Sequence, residues 1–466
     1  MSDDSQPKNP GRRALLQGLG AASAALAFPQ LWLPRAAYAQ TAGRGSVKHL
    51  LYIRLAGGFR FTTAFNGDVD SGFNPFGRSE HRAAGTEWGV GKLLDEASWL
   101  SGKDDATKQR VALGMKRASE LSGDMCVLPC VDHEPASGRA DGNHGTGLER
   151  FLTGFVGGTT SFLTYVNAGL KDRPTGGQTL LPAFSLGEAG MALGAGSLAA
   201  YRPPVLDGAG FERFGFDAEN TLPAWANAMV GGLQSRYQAR LHSALRSPAE
   251  AYQQSRDQTR AYGKIFQDPL LKVANDATTE VDGISNRDLS VLLGTDTTGR
   301  RAALALRLFH FGCPAVFMNQ GGYDMHSDEQ DNLPTTLDGA NRLLAGVNAA
   351  LKKMVHPAGG TYWDHTLVVV GSEFGRTTGG QKFNSANGSD HGSDLATRWM
   401  SMPLMGGVIA KAGKGGKSLG SCRASDLKAQ GPVYSYRAVL KTLLDLLGAD
   451  HSQVFTADSP IQDLFR

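Results

Sequence analysis

Short apolar runs that stop at glycine recur along this chain. His49-Leu50-Leu51-Tyr52-Ile53-Arg54-Leu55 runs into Ala56-Gly57-Gly58, Pro314–Met318 soon reaches Gly321-Gly322, and Thr366–Val370 meets Gly371. Runs that are apolar at consecutive positions and rich in β-branched or aromatic residues predict strands buried on both faces, as in a parallel sheet. A fourth strand is predicted over Met125–Val131. Between them the apolar spacing changes to three and four residues. It predicts helices over Ala112–Glu120, over Leu148–Phe155 with Gly157-Gly158 as the stop, over Arg300–Phe309, and over Tyr436–Leu447 ended by Gly448. Leu337, Leu344 and Leu351, with Val347 and Met354, form one face of a further helix.

This alternation predicts an α/β fold with a mainly parallel central sheet flanked by helices. Residues 161–286 break the pattern. Pro182–Pro204 is Gly/Ala-rich, and Ala224–Phe266 is polar with Leu233, Tyr237, Leu241 and Leu245 at helical spacing. The region reads as a mostly helical insertion or cap within a single α/β domain spanning residues 40–466.

The N-terminus sets the compartment. Gly11-Arg12-Arg13-Ala14-Leu15-Leu16 opens a run uncharged from Ala14 to Leu33, and Ala37-Tyr38-Ala39 supplies a small-x-small cleavage site. Paired arginines before a moderately apolar segment mark a twin-arginine signal peptide, residues 1–39, and a protein exported folded to the periplasm or beyond. The alternative is an uncut anchor, which Pro29, Pro34 and the weak hydropathy of the run disfavour. No later run is long and apolar enough to span a bilayer.

Composition narrows the function. A net charge of +3 over 466 residues, with no basic stripe, gives no support to nucleic-acid binding. The four cysteines, Cys126, Cys130, Cys313 and Cys422, are too few for a disulfide framework and read as buried thiols. Regular alternation would put Cys126 and Cys130 on one strand face, too far apart to bridge.

Ionisable residues gather just past the predicted strands, where open α/β sheets bind ligands. Asp324 and His326 follow the run at 314–318, and two-residue spacing lets both point one way towards a metal. A helix-capping Asp beside a solvated His fits the same pattern. Glu373 and Arg376 follow the run at 366–370. Glu373 is a ligand, a general base, or half of an ion pair with Arg376. Asp390-His391 sits on a Gly-flanked loop, with His391 as ligand and Asp390 behind it, or as an Asx-turn beside an exposed His. His144, in Asn143-His144-Gly145-Thr146-Gly147, opens a helix whose N–H groups suit an anion; a solvated loop His is the alternative. Asp132-His133-Glu134 reads as solvated loop. No G-x-S-x-G elbow, P-loop or H-E-x-x-H is present.

The set Gly57-Gly58, His144 before a helix, Gly322-Tyr323-Asp324-Met325-His326, Ser372-Glu373-Phe374-Gly375-Arg376 and Asp390-His391-Gly392, behind a twin-arginine leader, resembles an exported bacterial family, domain of unknown function 1501. That family is distantly similar to the alkaline phosphatase and sulfatase superfamily. The resemblance implies one divalent metal ion held by some of Asp324, His326, Glu373 and His391, with an anionic phosphate or sulfate ester as substrate. His144 falls where sulfatases carry their nucleophile, with Thr146 nearby and Arg376 placed to stabilise negative charge. Two departures cut against this, the first being that the chain offers no unambiguous Ser, Thr or Cys nucleophile. Second, the superfamily places a metal aspartate after the first strand, where this chain has Phe59-Arg60. The resemblance therefore allows two roles: a metal-dependent ester hydrolase, or a member that kept the fold and acts as a periplasmic binding or assembly protein.

Overall fold

Strand β1 (His49–Leu55) is the spine of the sheet, with all seven residues buried. The computed structural model describes residues 44–59, 104–116, 118–133, 143–173, 180–206, 224–240, 262, 265–326, 329–376, 399–422 and 429–464. The leader, Arg60, Asp390 and His391 lie outside these residues.

The other strands are β2 (Met125–Asp132), β3 (Phe184–Leu186), β4 (Val205–Leu206), β5 (Ala315–Gln320), β6 (Thr366–Gly371), β7 (Trp399–Met405), β8 (Lys417–Ser418) and β11 (Tyr434–Ser435). Among the described residues these nine form one sheet in the order β11-β2-β7-β6-β1-β5-β3-β4, with β8 also beside β2. A separate antiparallel pair joins β9 (Ser421–Cys422) to β10 (Ala429–Gln430). Every pairing in the main sheet is parallel except those of β7, which is antiparallel to both β2 and β6. Two reversals restore β2 to the direction of β1, so the chain leaves β2 at the same edge as it leaves β1, β5 and β6.

Alternation along β1 feeds two cores. Leu51, Ile53 and Leu55 pack with α4 (Asn286–Leu293), α5 (Thr297–His310) and α6 (Glu329–Lys353), while Leu50 and Tyr52 pack with α1 (His144–Thr153), α2 (Phe162–Gly169) and α7 (Tyr436–Leu446). This is the expected mixed α/β architecture, a mostly parallel sheet covered on both faces. Each large aliphatic side chain so buried contributes roughly 1.5–3 kcal/mol.

Local departures have local causes. The helix expected over Ala112–Glu120 is instead Asp105–Ala112, capped by Asp104, then a turn through Gly114, then a short helix Ala118–Leu121. α1 stops at Gly154, earlier than Gly157-Gly158. Gly154 takes the left-handed conformation at φ +85, and a Cβ there would stand 2.7 Å from the Phe455 ring. Cys126 and Cys130 are on opposite faces, because β2 shifts register between Leu128 and Val131. Pro129 sits inside that irregularity, where a strand tolerates it. Cys126, Cys130 and Cys313 are buried thiols outside any disulfide.

Part of the 161–286 region joins the sheet itself: β3 pairs with β5, and β4 extends the edge. The rest of its described residues include α2 and α3 (Ala224–Arg240). Leu233 on α3 is 55% exposed, so its helical spacing does not mark a buried face. No helix among the described residues is long and apolar enough to cross a membrane.

Candidate functional site

The carboxyl ends of β6, β1 and β5 are level. Leu55 is in register with Gln320, and Arg54 with Gly371. The segments that leave these ends stay stitched together. Ala56 N–H donates to Gln320 O at 2.8 Å, Phe59 N–H to Phe374 O at 3.0 Å, and Arg376 N–H to Phe59 O at 3.1 Å. Gly57 makes the approach feasible: at φ +121, a Cβ on it would stand 2.3 Å from the Asp324 nitrogen.

Glu373 forms the floor and is 3% exposed. Its Oε1 accepts the Gly57 N–H at 2.8 Å and lies 3.5 Å from His144 Nδ1. Its Oε2 accepts from Ser372 Oγ at 3.2 Å and faces Arg54 Nε at 3.6 Å. His144 is the first residue of α1, which starts there because the Asn143 side chain accepts from Gly145 N and Thr146 N at 2.8 and 3.2 Å. Those two N–H groups are thus turned to Asn143, so the anion site expected at this helix start has lost two of its donors to the cap. Thr146 is half-buried within the same turn.

Asp324 and His326 form the mouth, with side chains about half exposed. Asp324 Oδ1 lies 3.3 Å from His144 Nε2 and 3.0 Å from His326 Nε2. One donor atom from each of His144, Asp324 and His326 lies within 4.8 Å of the other two. Arg376 is wholly buried. It donates to Gly57 O from Nε and Nη2 at 3.0 and 2.7 Å, and its Nη2 also pairs with Asp324.

Charge follows from this packing. Burial alone would raise the Glu373 carboxyl, but His144, Arg54 and the Gly57 N–H outweigh it and hold the pKa below its ordinary value. Burial likewise opposes ionisation of Asp324, and Arg376 with the two imidazoles wins. His144 is raised, chiefly by the Glu373 carboxylate beside it.

Five of the residues singled out in the sequence, His144, Asp324, His326, Glu373 and Arg376, meet at this edge. Asp390 and His391 fall outside the described residues. The ion pair that Arg376 makes here is with Asp324, while Glu373 faces Arg54. Phe59 is 3% exposed and its ring packs edge-on against Tyr323 at 5.5 Å, so an aromatic closes this part of the strand-end surface. Asp132 and His133 are buried at the end of β2, contrary to a solvated loop. Sequence reading passed over Arg54 and its partner Glu188. The signal was present, as one cation inside an otherwise apolar strand.

Comparison with known proteins adds the following. No match is found among curated proteins. Among solved structures, the chain is similar to the C-terminal periplasmic domain of EcEptC from Escherichia coli (10% identity, 93% of this chain and 91% of that one, TM-score 0.35) and to the same domain in complex with Zn (9% identity, 93% and 91%, TM-score 0.35). It is also similar to the soluble domain of lipooligosaccharide phosphoethanolamine transferase A from Neisseria meningitidis (10% identity, 91% and 94%, TM-score 0.34). A family described as protein of unknown function (DUF1501) matches residues 71–462. The match covers most of the sequence, and the chain belongs to that family.

Proposed function

We propose that this protein is an exported, metal-dependent enzyme acting on phosphate or sulfate esters, with a single divalent ion held by His144, Asp324 and His326. The observation that supports it is the convergence of those three donor atoms over the Glu373 carboxylate. Two imidazoles and a carboxylate are the donor set of borderline metals, and three protein ligands at a half-exposed mouth leave a position open, as catalytic centres do. A carboxylate behind one ring nitrogen is the usual support of a ligating histidine.

A bound divalent ion would supply Lewis acidity towards an ester oxygen. The chain's own residues do the rest. His144 Nδ1–H points to the Glu373 carboxylate, which leaves Nε2 to face the mouth. Arg376 keeps Asp324 ionised. Glu373 thereby moves from the ligand set that the resemblance implies to a supporting place behind His144. His391 and Asp390 remain candidates for a further ligand and its support. The twin-arginine pattern of residues 1–39 supports an activity exported to the periplasm or beyond.

A second reading, a periplasmic binding or assembly protein without catalysis, draws on two observations. Phe59-Arg60 stands where the resemblance implies an acidic pair, and Arg376 already neutralises Asp324.

Elemental mass spectrometry of the mature protein, purified without chelator or affinity histidines, tests the choice beside His144→Ala and His326→Ala. Near-stoichiometric metal lost in both variants supports the enzyme and calls for a phosphate- and sulfate-ester screen. A folded wild type that takes up no added metal removes it.

A further inference from the structure

Behind Glu373 runs a buried line of charge that the donor trio does not use. Arg54, the sixth residue of β1, has a side chain only 9% exposed. Its Nη1 donates to Glu188 Oε2 at 3.0 Å and its Nε lies 3.6 Å from Glu373 Oε2. Glu188 is fixed in turn, accepting from Gly190 N at 3.0 Å and from Asn319 Nδ2 at 3.3 Å. A buried ion network of this kind is a poor source of stability, since apolar residues of similar size do as well. What it does provide is direction. One guanidinium, seated by one carboxylate, faces the other as an ion pair at 3.6 Å, beyond a hydrogen bond from Nε.

We infer that Arg54, seated by Glu188, is a positioning residue for the candidate centre. It holds the Glu373 carboxylate so that Oε1 meets both the Gly57 N–H and His144 Nδ1, and so aims His144 Nε2 at Asp324 and His326. This inference rests on the reading of His144 as a metal ligand. Arg54 itself touches neither metal nor substrate.

Zinc alone is titrated into the mature chain by competition with a chromophoric chelator, with thermal unfolding recorded alongside. The proteins compared are wild type, Arg54→Met, Arg54→Lys, Glu188→Gln and the Arg54→Met/Glu188→Gln double variant. Each of Arg54→Met and Glu188→Gln is expected to weaken zinc binding, by roughly 10- to 100-fold where the support is lost entirely. The double variant should be no weaker than Arg54→Met, because both act through one carboxylate, and Arg54→Lys should recover part of the loss. A wild type that binds zinc beside variants of equal affinity, whatever their unfolding midpoints, overturns the positioning role and leaves the centre standing. A wild type that binds no zinc overturns both. Should Arg54→Met fail to fold, Glu188→Gln decides the matter alone.

Discussion

Gly57 lies so close to Asp324 that the two backbones are in van der Waals contact, with no room for a side chain between them. Gly57→Ala must therefore push the Asp324 segment away while adopting a φ of +121 that alanine resists. We expect a loss of about 1–3 kcal/mol. Gly321→Ala, where a Cβ meets nothing within 4 Å, should stay within about 0.5 kcal/mol of wild type. Urea unfolding of the two variants checks the contrast.

Glu373→Gln keeps the shape of the floor and removes its charge. Because Glu373 is the main cause of the raised His144 pKa, the His144 titration should move down in this variant, read by NMR of labelled histidines in metal-free protein. An unchanged His144 titration would mean that the 3.5 Å contact is not maintained in solution.

At the other end of the sheet, two histidines are locked as neutral rings. His49 Nδ1–H donates to Cys313 O at 2.8 Å, and Ala358 N–H donates to His356 Nδ1 at 3.0 Å. His356 Nε2–H is then left to donate across 3.3 Å to His49 Nε2. Burial lowers His49 from 6.5 to about 3 and His356 from 6.5 to about 4. Unfolding lets both rings take up protons near the ordinary value. Their contribution is thus fully present above pH 6.5 and is lost progressively as pH falls through 6.5 towards about 4. Urea midpoints measured from pH 7.5 down to 5 should fall, and His356→Gln should flatten that slope.

Arg307 is wholly buried on α5 and donates to Asn286 Oδ1 at 2.8 Å, Ile284 O at 2.9 Å and Val281 O at 3.2 Å. Arg307→Ala takes one donor from each of three acceptors, of which Ile284 O and Val281 O keep a backbone N–H, and leaves a cavity. We expect a loss of about 3–5 kcal/mol, without effect on zinc binding at the far edge of the molecule. Calorimetry and zinc titration together check this.

The central strands and the helices of the β5-to-β6 crossover were legible because their burial is written in consecutive apolar residues. β7 was not, since Trp399-Met400-Ser401-Met402-Pro403-Leu404-Met405 has neither alternation nor β-branched residues and contains a proline. β3 and β4 were hidden for another reason. Strands of three and two residues leave no period to detect, and only pairing, of β3 with β5 and of β4 with β3, defines them. At the site, the strand-end position of Asp324, His326 and Glu373 was readable from chain order. What sequence could not supply was partnership. Arg376 is three residues from an acid near its own strand end, yet pairs with Asp324, while Glu373 takes Arg54 from a strand more than three hundred residues earlier. Such pairing depends on strand order, and strand order is set by packing across the whole sheet.

The three buried thiols carry a consequence of their own. Burial pushes Cys126 up to about 11 and Cys313 up to about 12, so in the folded molecule these two positions carry almost no thiolate. Unfolding exposes Cys126 and Cys313 and returns both thiols to their ordinary range at once. The rate at which these sulfurs are alkylated is therefore a clock for how often the sheet comes apart, built into the chain without any added label.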